Sequence, residues 1–366
     1  MGKVRRARVL RVIAPIVGAG LVLFVGAGSS SAAPRTHKAP YEVVMGVPGI
    51  PPVFLGVRPY IAWNRGFYEK YLGKAADVRI QDFTTGTDAM RAVQNGQIDL
   101  AWAPTPTVMA AMASGANLVA IEGMDTIDWR IGSIDPSITQ CSQLKGQTIG
   151  VDTVGGARYN ALIGMLSKCG LSINDVKTIN FPGAAGMNAQ IAGQLPLNVD
   201  HVDEVQQIQA AGKKVAIVVK LTDVDPYQHY DMLVTTKDKL AQNRALYIDI
   251  IKGDIAATSW MYNPKNLDAA SKTGQITGDS LTVSKSALAH YLGIKWWNVN
   301  ASGLTVQRIT RTLGEYLKLG AIPPGGNALT YKTMTDTSLW KDAWAAVGKQ
   351  YAVPASQIGT YATANT

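Results

Sequence analysis

The 366-residue sequence has few of the residues that build metal centres, with two cysteines and four histidines. Such small numbers do not favour a clustered His/Cys metal site. The sequence also lacks the nucleotide patterns GxGxxG and GxxxxGK[ST], the nucleophile pattern GxSxG and the zinc pattern HExxH. We therefore expect no metal and no cofactor, and the sequence does not indicate nucleotide hydrolysis.

Charged residues are also scarce, at 17% of the chain against 47% hydrophobic residues. The formal net charge is +9, but five of the 35 cations and none of the 26 anions fall in the first 32 residues. The remaining chain therefore has 30 cations against 26 anions, a net charge of +4. It contains no dense basic cluster, so nucleic-acid binding is not expected.

The first residues, "MGKVRRARVLRVIAPIVGAGLVLFVGAGSSSAAP", combine a basic start, an apolar run and a stretch of small residues. These are the three parts of a secretory signal peptide. We predict a signal peptide over residues 1–32, cleaved after Ala32, and an extracytoplasmic or periplasmic location. A membrane anchor is the alternative, because the apolar run approaches spanning length.

The two cysteines suggest a disulfide in an exported protein. Cys141 precedes a predicted strand, and Cys169 ends the predicted helix that runs back beside that strand. Both therefore lie at the same end of one strand–helix unit. Two unpaired buried thiols are the alternative.

Hydrophobic periodicity predicts strands and helices in alternation. The predicted strands are 41–47, 77–83, 98–104, 117–123, 147–152, 176–181, 195–201, 215–221 and one within 230–240. The predicted helices between them are near 58–72, 87–95, 106–114, 157–169, 184–192 and 203–212. The segments "VRIQDFTTGTDAMRAVQNGQIDL" and "VKTINFPGAAGMNAQIAGQLPL" run in the same order, about one hundred residues apart.

This duplication predicts an α/β fold of two similar Rossmann-like lobes with mainly parallel sheets. We expect lobe 1 to comprise 41–126 and 231–366, and lobe 2 to comprise 127–230. The C-terminal part of lobe 1 is predicted to be helical and to pack on that lobe. The chain would then cross twice, through hinges near 124–130 and 222–231.

Open α/β sheets bind ligands beyond the carboxyl ends of their strands. Loops at those ends, and residues close to them, supply the candidate ligand contacts: Phe54, Thr85, Gly86, Trp102, Thr105, Pro106, Gly156, Arg158, Tyr159, His201 and Asp203. Each type also has a structural explanation, because threonines cap helices and aromatic rings fill cores. Asp203 can likewise simply favour the start of a helix.

Arg158 is the most informative candidate, because a guanidinium is unfavourable near a helix N-terminus unless an anion is present. The anion can be a ligand or a carboxylate of the chain. If it is a ligand, Arg158→Ala is expected to weaken anion binding by about 1.5–3 kcal/mol.

Three short elements carry a family resemblance: "GFYEK" at 66–70, "LKG" at 144–146 and "AGQ" at 192–194. Together with the segments around them, they resemble ABC-transporter periplasmic solute-binding proteins of the taurine, alkanesulfonate and nitrate kind. The resemblance covers nearly all of the chain after the predicted signal peptide.

The resemblance implies the type II periplasmic-binding-protein fold and ligand contacts at Thr85, Gly86, Thr105, Pro106 and 155–159. It implies a monomeric, non-enzymatic receptor that delivers a small organic anion to a membrane permease with its ATPase. Arg158 and His201 depart from the usual residues and favour a carboxylate, aromatic if Trp102 and Phe54 face the cleft, over taurine itself. A pyridoxal-phosphate enzyme resembling thiamine-pyrimidine synthases and a solute-sensing receptor for a signalling partner are the alternatives.

Overall fold

The computed structural model describes residues 41–361 and 363–364. The predicted signal peptide and its cleavage site lie outside these residues. Among the described helices, none combines the length and the apolar character needed to cross a bilayer.

Ten strands form the two sheets. In chain order they are β1 Tyr41–Pro48, β2 Ala76–Phe83, β3 Leu100–Pro104, β4 Leu118–Met124, β5 Arg130–Ser133, β6 Thr148–Val151, β7 Lys177–Asn180, β8 Leu197–Asp200, β9 Ala216–Lys220 and β10 Asp231–Thr236.

The two sheets have the same layout. The first has the order β2-β1-β3-β10-β4 and the second the order β7-β6-β8-β5-β9. In each sheet four strands run in one direction, and the fourth position holds a strand that is antiparallel to both neighbours. The prediction of two mainly parallel α/β sheets is confirmed.

The two reversed strands are the first strands after the chain crosses between the sheets. The chain leaves the first sheet after β4 and enters the second through β5, and it returns from β9 through β10. Because β5 and β10 run against their neighbours, their amino ends lie at the edge formed by the carboxyl ends of the other strands. Residues just before β5 and β10 are thereby brought to the ligand-binding edge of each sheet.

The duplication extends to backbone conformation. Gly96 and Gly193, which occupy the same place in the two repeats, have φ angles of 72° and 75°. Glycine adopts this left-handed conformation without steric penalty. The following residues donate equivalent bonds, from the Gln97 N–H to the Ala92 carbonyl (2.9 Å) and from the Gln194 N–H to the Ala189 carbonyl (2.8 Å).

Sixteen α-helices occur among the described residues. They are α1 Val57–Asn64, α2 Phe67–Leu72, α3 Gly86–Gln94, α4 Thr105–Ala113, α5 Ala157–Lys168, α6 Ala185–Ile191, α7 Val202–Ala210, α8 Leu221–Val224, α9 Lys237–Gln242, α10 Arg244–Met261, α11 Leu267–Gly274, α12 Leu281–Gly293, α13 Val306–Lys318, α14 Tyr331–Met334, α15 Ser338–Tyr351 and α16 Ala355–Ile358.

Three features differ from the sequence expectations. The helix predicted near 58–72 is two helices, because Gly66 adopts φ 71° between them. The short strand β5 was not predicted, since four residues give too little periodicity to distinguish a strand. The C-terminal helices contact the first sheet through α14 and α15, but α12 packs on α7, which lies against the second sheet.

Cys141 and Cys169 form a disulfide between the short helical turn before β6 and the end of α5. The bond lies at the end of α5 opposite Gly156, the residue that precedes its first turn. At about 1.5 Å per residue, α5 is roughly 18 Å long. The disulfide therefore secures the second sheet at a distance from the loop that begins this helix.

A buried charged cluster lies within the helices and strands of the first sheet. Arg58 donates to Glu122 (2.7 Å) and lies 3.8 Å from Asp254. All three side chains are almost fully buried. Burial raises the pKa of Glu122 to about 8, the charge of Asp254 adds to this rise, and Arg58 opposes it.

We expect this cluster to make the fold less stable as the pH rises. A raised carboxyl pKa means that the folded chain keeps a proton that the unfolded chain loses above about 4.5, so stability falls as pH rises from about 4.5 to about 8. Glu122→Gln removes this titration, and thermal unfolding should show a smaller drop in Tm between pH 5 and pH 8. A reduction on the order of 2 °C or more is expected. The exposed Glu69→Gln variant is the control, and an equal effect in both variants would contradict this role.

Candidate functional site

A cleft that is partly open to solvent, with a cavity volume of about 40 Å³, lies at the carboxyl ends of the strands of both sheets. It is lined from the first sheet by Thr85, Pro104 and Asp231, and from the second by Trp129, Arg158 and His201. Both sheets thus contribute side chains to one cleft. This is the position expected for ligand binding in open α/β sheets.

The loop at the start of α5 already holds an anion, the carboxylate of Asp152. This carboxylate accepts from the backbone N–H groups of Thr153 (2.8 Å), Arg158 (3.3 Å) and Tyr159 (3.3 Å). A β-carbon on Gly156 would lie 2.6 Å from the Asp152 carboxylate. Gly156 is therefore needed for the close approach of Asp152, whose carboxylate occupies backbone N–H groups at the start of α5.

Arg158 is also paired within the chain. Its guanidinium donates to both carboxylate oxygens of Glu204 at 2.8 and 2.6 Å, to the carbonyl of Gly183 at 3.3 Å and to the carbonyl of Val199. Arg158 is 3% exposed and Glu204 is 6% exposed. Although burial disfavours its charge, Glu204 has a pKa below its usual value because of Arg158. The anion anticipated beside Arg158 is thus present as Glu204, and a ligand role for Arg158 remains a prediction.

Aromatic rings form one side of the cleft. The imidazole of His201 lies against the Trp129 ring, with 3.6 Å between centroids, and the guanidinium carbon of Arg158 lies 5.4 Å from the Trp129 centroid. His201 Nδ1 donates to the carbonyl of Asp128 (3.3 Å), which leaves Nε2 to accept from the hydroxyl of Tyr230 (3.2 Å). His201 is therefore held in place by its neighbours at the cleft wall.

Asp128 helps to hold His201 in place. Its carboxylate contacts Arg130, lies 3.4 Å from Nε2 of His290 and accepts from the backbone N–H of Val202 at 3.0 Å. Although burial opposes its charge, Arg130 and the histidines hold the pKa of Asp128 well below its usual range. The segment between β4 and β5, where the chain first crosses between the sheets, is thereby held against α7 and α12.

Thr85 and Gly86 line the cleft at the start of α3. The Thr85 hydroxyl donates to the Asp88 carboxylate (2.8 Å) and accepts from the Asp88 backbone N–H (3.1 Å), so it caps the helix. A β-carbon on Gly86 would lie 2.6 Å from the Pro104 ring. The small residue thus lets α3 begin directly against the end of β3.

The other predicted contacts lie outside the lining of this cleft. Phe54 and Trp102 are each 1% exposed in the hydrophobic core. Asp203 accepts from the hydroxyl of Tyr291 (2.6 Å), and Thr105 bonds to Nδ1 of His229 (2.7 Å).

Three predicted residues lie close to the cleft without lining it. Pro106 lines a smaller neighbouring cavity. Gly156 and Tyr159 belong to the start of α5, where Gly156 precedes the first turn and Tyr159 donates its backbone N–H to Asp152.

Trp129, Tyr230 and Asp231 are among the cleft residues that the candidate list did not include. Each lies just before or at the start of a reversed strand, β5 or β10. The predicted hinges already covered these positions, but the sequence did not show that the strands after them are reversed. That reversal is what brings the three residues to the cleft.

Direct contacts join the two sides of the cleft. The hydroxyl of Thr107 on α4 donates to the carbonyl of Gly155 (2.8 Å), and the amide of Asn160 on α5 donates to the hydroxyl of Thr107 (3.4 Å). A β-carbon on Gly183 would lie 3.4 Å from the Ile50 carbonyl oxygen across the cleft. The two sides of the cleft are therefore in direct contact.

Two sheets of this order, with a cleft between their carboxyl ends, define a type II periplasmic-binding-protein fold. The chain belongs to the NMT1/THI5-like family, whose model matches residues 55–266. The resemblance stated from the sequence is thereby confirmed. No curated protein sequence matches the chain.

Solved structures share this fold at low identity. The alkanesulfonate-binding protein SsuA from Xanthomonas axonopodis pv. citri, bound to MOPS, is 16% identical with a TM-score of 0.68, over 82% of this chain and 100% of its own. The periplasmic nitrate-binding protein NrtA from Synechocystis PCC 6803 is 16% identical with a TM-score of 0.70, over 88% and 92%. The desulfurization enzyme DSZB is 11% identical with a TM-score of 0.59, over 84% and 99%.

Proposed function

We propose that this protein is an extracytoplasmic solute receptor of an ABC importer, which binds one small molecule in the cleft and delivers it to a membrane permease. The observation that carries the proposal is the cleft itself, lined by both sheets and bridged by the contacts of Thr107 with Gly155 and Asn160. The chain crosses twice between the sheets, so closure by hinge motion is available to it. The alkanesulfonate-binding and nitrate-binding proteins of the same fold support this role.

The charged side chains that line the cleft influence which kind of solute can bind there. Among the described residues that line it, Arg158 is the one cation, and it is engaged by Glu204. Sulfonates and carboxylates, favoured from the sequence, would have to bind without a free cationic side chain from this lining. They remain in the proposal as ligands to be tested.

A solute-dependent closure should be measurable. Thr107→Val removes a hydroxyl that bonds across the cleft, so we expect about 3- to 10-fold weaker solute binding with little loss of fold stability. Calorimetry can measure the affinity, using solutes identified in a thermal-shift panel of sulfonates, carboxylates and amines. Small-angle scattering with and without the solute can measure the closure.

The control for this experiment is Ser114→Ala, because the Ser114 hydroxyl bonds only to the Ala110 carbonyl within the same helix. Equal affinities for both variants and the unchanged chain would argue against the cross-cleft bond. The receptor role itself fails if the protein purified from its own cells carries no small molecule and no solute in the panel binds.

An enzymatic function has less support from the cleft. Pyridoxal phosphate is normally anchored by a lysine through a Schiff base. No lysine occurs among the described residues that line the cleft or its smaller neighbour. The residues that line the cleft therefore do not fit pyridoxal phosphate. A solute-sensing role for a signalling partner is a better-supported alternative to transport than an enzymatic role.

A further inference from the structure

Asp231 is a cleft carboxyl group without a full set of partners. It is the first residue of β10 and pairs in register with Pro104 at the end of β3 and with Met124 at the end of β4. It lines the cleft and is 3% exposed. Its Oδ1 has no hydrogen-bond partner among the described residues.

The other ionisable groups that line the cleft already have hydrogen-bond or ion-pair partners within the chain. Asp152 accepts from three backbone N–H groups, and Arg158 is held by Glu204. His201 bonds to Asp128 and Tyr230. Among the charged side chains of the described lining, Asp231 is thus the one left with an unmatched oxygen.

An unmatched buried carboxyl group is costly. Removing a polar atom from water without a replacement bond costs about 1–3 kcal/mol, and more when the group is charged. Burial accordingly raises the pKa of Asp231 well above its usual range. A ligand that donates a hydrogen bond, or carries a positive charge, would remove this cost on binding.

We propose that Asp231 recognises the solute and that the solute carries an amino group that donates to Oδ1 of Asp231. This inference rests on the proposed receptor function and specifies its substrate class. An aromatic wall supports it, because the rings of Trp129 and Tyr230 lie in the same lining and cations interact favourably with aromatic faces. The remainder of the solute can be anionic or neutral, and the amino group is the recognised feature.

Matched pairs of compounds test the proposal. Taurine with ethanesulfonate, β-alanine with propionate, and benzylamine with toluene differ chiefly in the amino group. Thermal shift followed by calorimetry should show that the amines bind at least tenfold more tightly than their partners, as for a hydrogen bond to a charged group. Any solute that copurifies with the protein, identified by mass spectrometry after denaturation, should also carry an amino group.

The variant Asp231→Asn keeps the shape of the side chain but cannot become a carboxylate anion when an amine binds. It should bind the preferred amine on the order of tenfold more weakly, while its unfolding temperature shows that it still folds. The exposed Asp268→Asn variant is the matched control and should bind like the unchanged chain.

The outcomes separate this proposal from the receptor function. Equal binding of amines and deaminated partners, a copurified solute without an amino group, or full affinity in Asp231→Asn would overturn the role of Asp231 and leave the receptor function intact. Absence of any bound or copurified solute would overturn both.

Discussion

Replacing Arg158 with methionine is expected to destabilise the folded chain by about 3–5 kcal/mol. The variant leaves the Glu204 carboxylate buried without the two hydrogen bonds, at 2.8 and 2.6 Å, that now neutralise it. It also removes the bonds to the carbonyls of Gly183 and Val199, which hold the loop after β7 close to β8. Urea denaturation of the variant and the unchanged chain measures the difference.

A double variant distinguishes an ion pair from a ligand contact. Arg158→Met with Glu204→Gln removes both charges, so it should recover a large part of the stability that Arg158→Met loses. The sequence alone predicts instead that loss of Arg158 weakens anion binding. Unchanged stability in Arg158→Met together with weaker sulfonate or carboxylate binding would refute the structural role and support that ligand role.

Removing the disulfide is the second change with a large expected effect. Cys141 and Cys169 are separated by 28 positions, and releasing a loop of that size is expected to cost about 3–4 kcal/mol in the chain-entropy model. We expect the double variant Cys141→Ser, Cys169→Ser to unfold at correspondingly lower urea concentration. Solute affinity should stay the same, because the bond lies at the far end of α5 from the cleft.

The reduced form of the unchanged chain provides the control for this variant. It should match the serine variant in stability if the effect comes from the bond itself. A loss below about 1 kcal/mol, or weaker solute binding, would show that the second sheet does not depend on this bond in the expected way.

Local patterns were sufficient to predict most helices and strands. Alternating and helical periodicities located nine of the ten strands, and the repeated Gly-Gln pairs showed that the two sheets are built alike. These features depend on residues close together in the chain, which is why one sequence reveals them. The strand β5 was missed because four residues carry little pattern.

The interaction partners of the candidate site residues were harder to predict from the sequence. The predictions placed Arg158, His201, Thr85 and Gly86 at strand ends, and all four line the cleft. Nothing near Arg158 in the chain indicated that Glu204, 46 positions away, would neutralise it. Asp152, in contrast, lies only six positions from Arg158 in the chain. The nearby Gly156 could have indicated that a carboxylate packs against the start of the helix.

The sequence by itself determined most of the secondary structure, the duplication and the edge of each sheet at which a ligand is expected to bind, because all three follow from local periodicity. The tertiary structure alone decided which charges remain available at that edge. Pairing with a distant segment satisfies Arg158, nearby backbone N–H groups satisfy Asp152, and the reversal of β5 and β10 brings Trp129, Tyr230 and Asp231 into the cleft. The loop at the start of α5 binds the carboxylate of Asp152, which belongs to the chain itself. The carboxyl group of the cleft that lacks a partner for one oxygen is that of Asp231, on the opposite sheet.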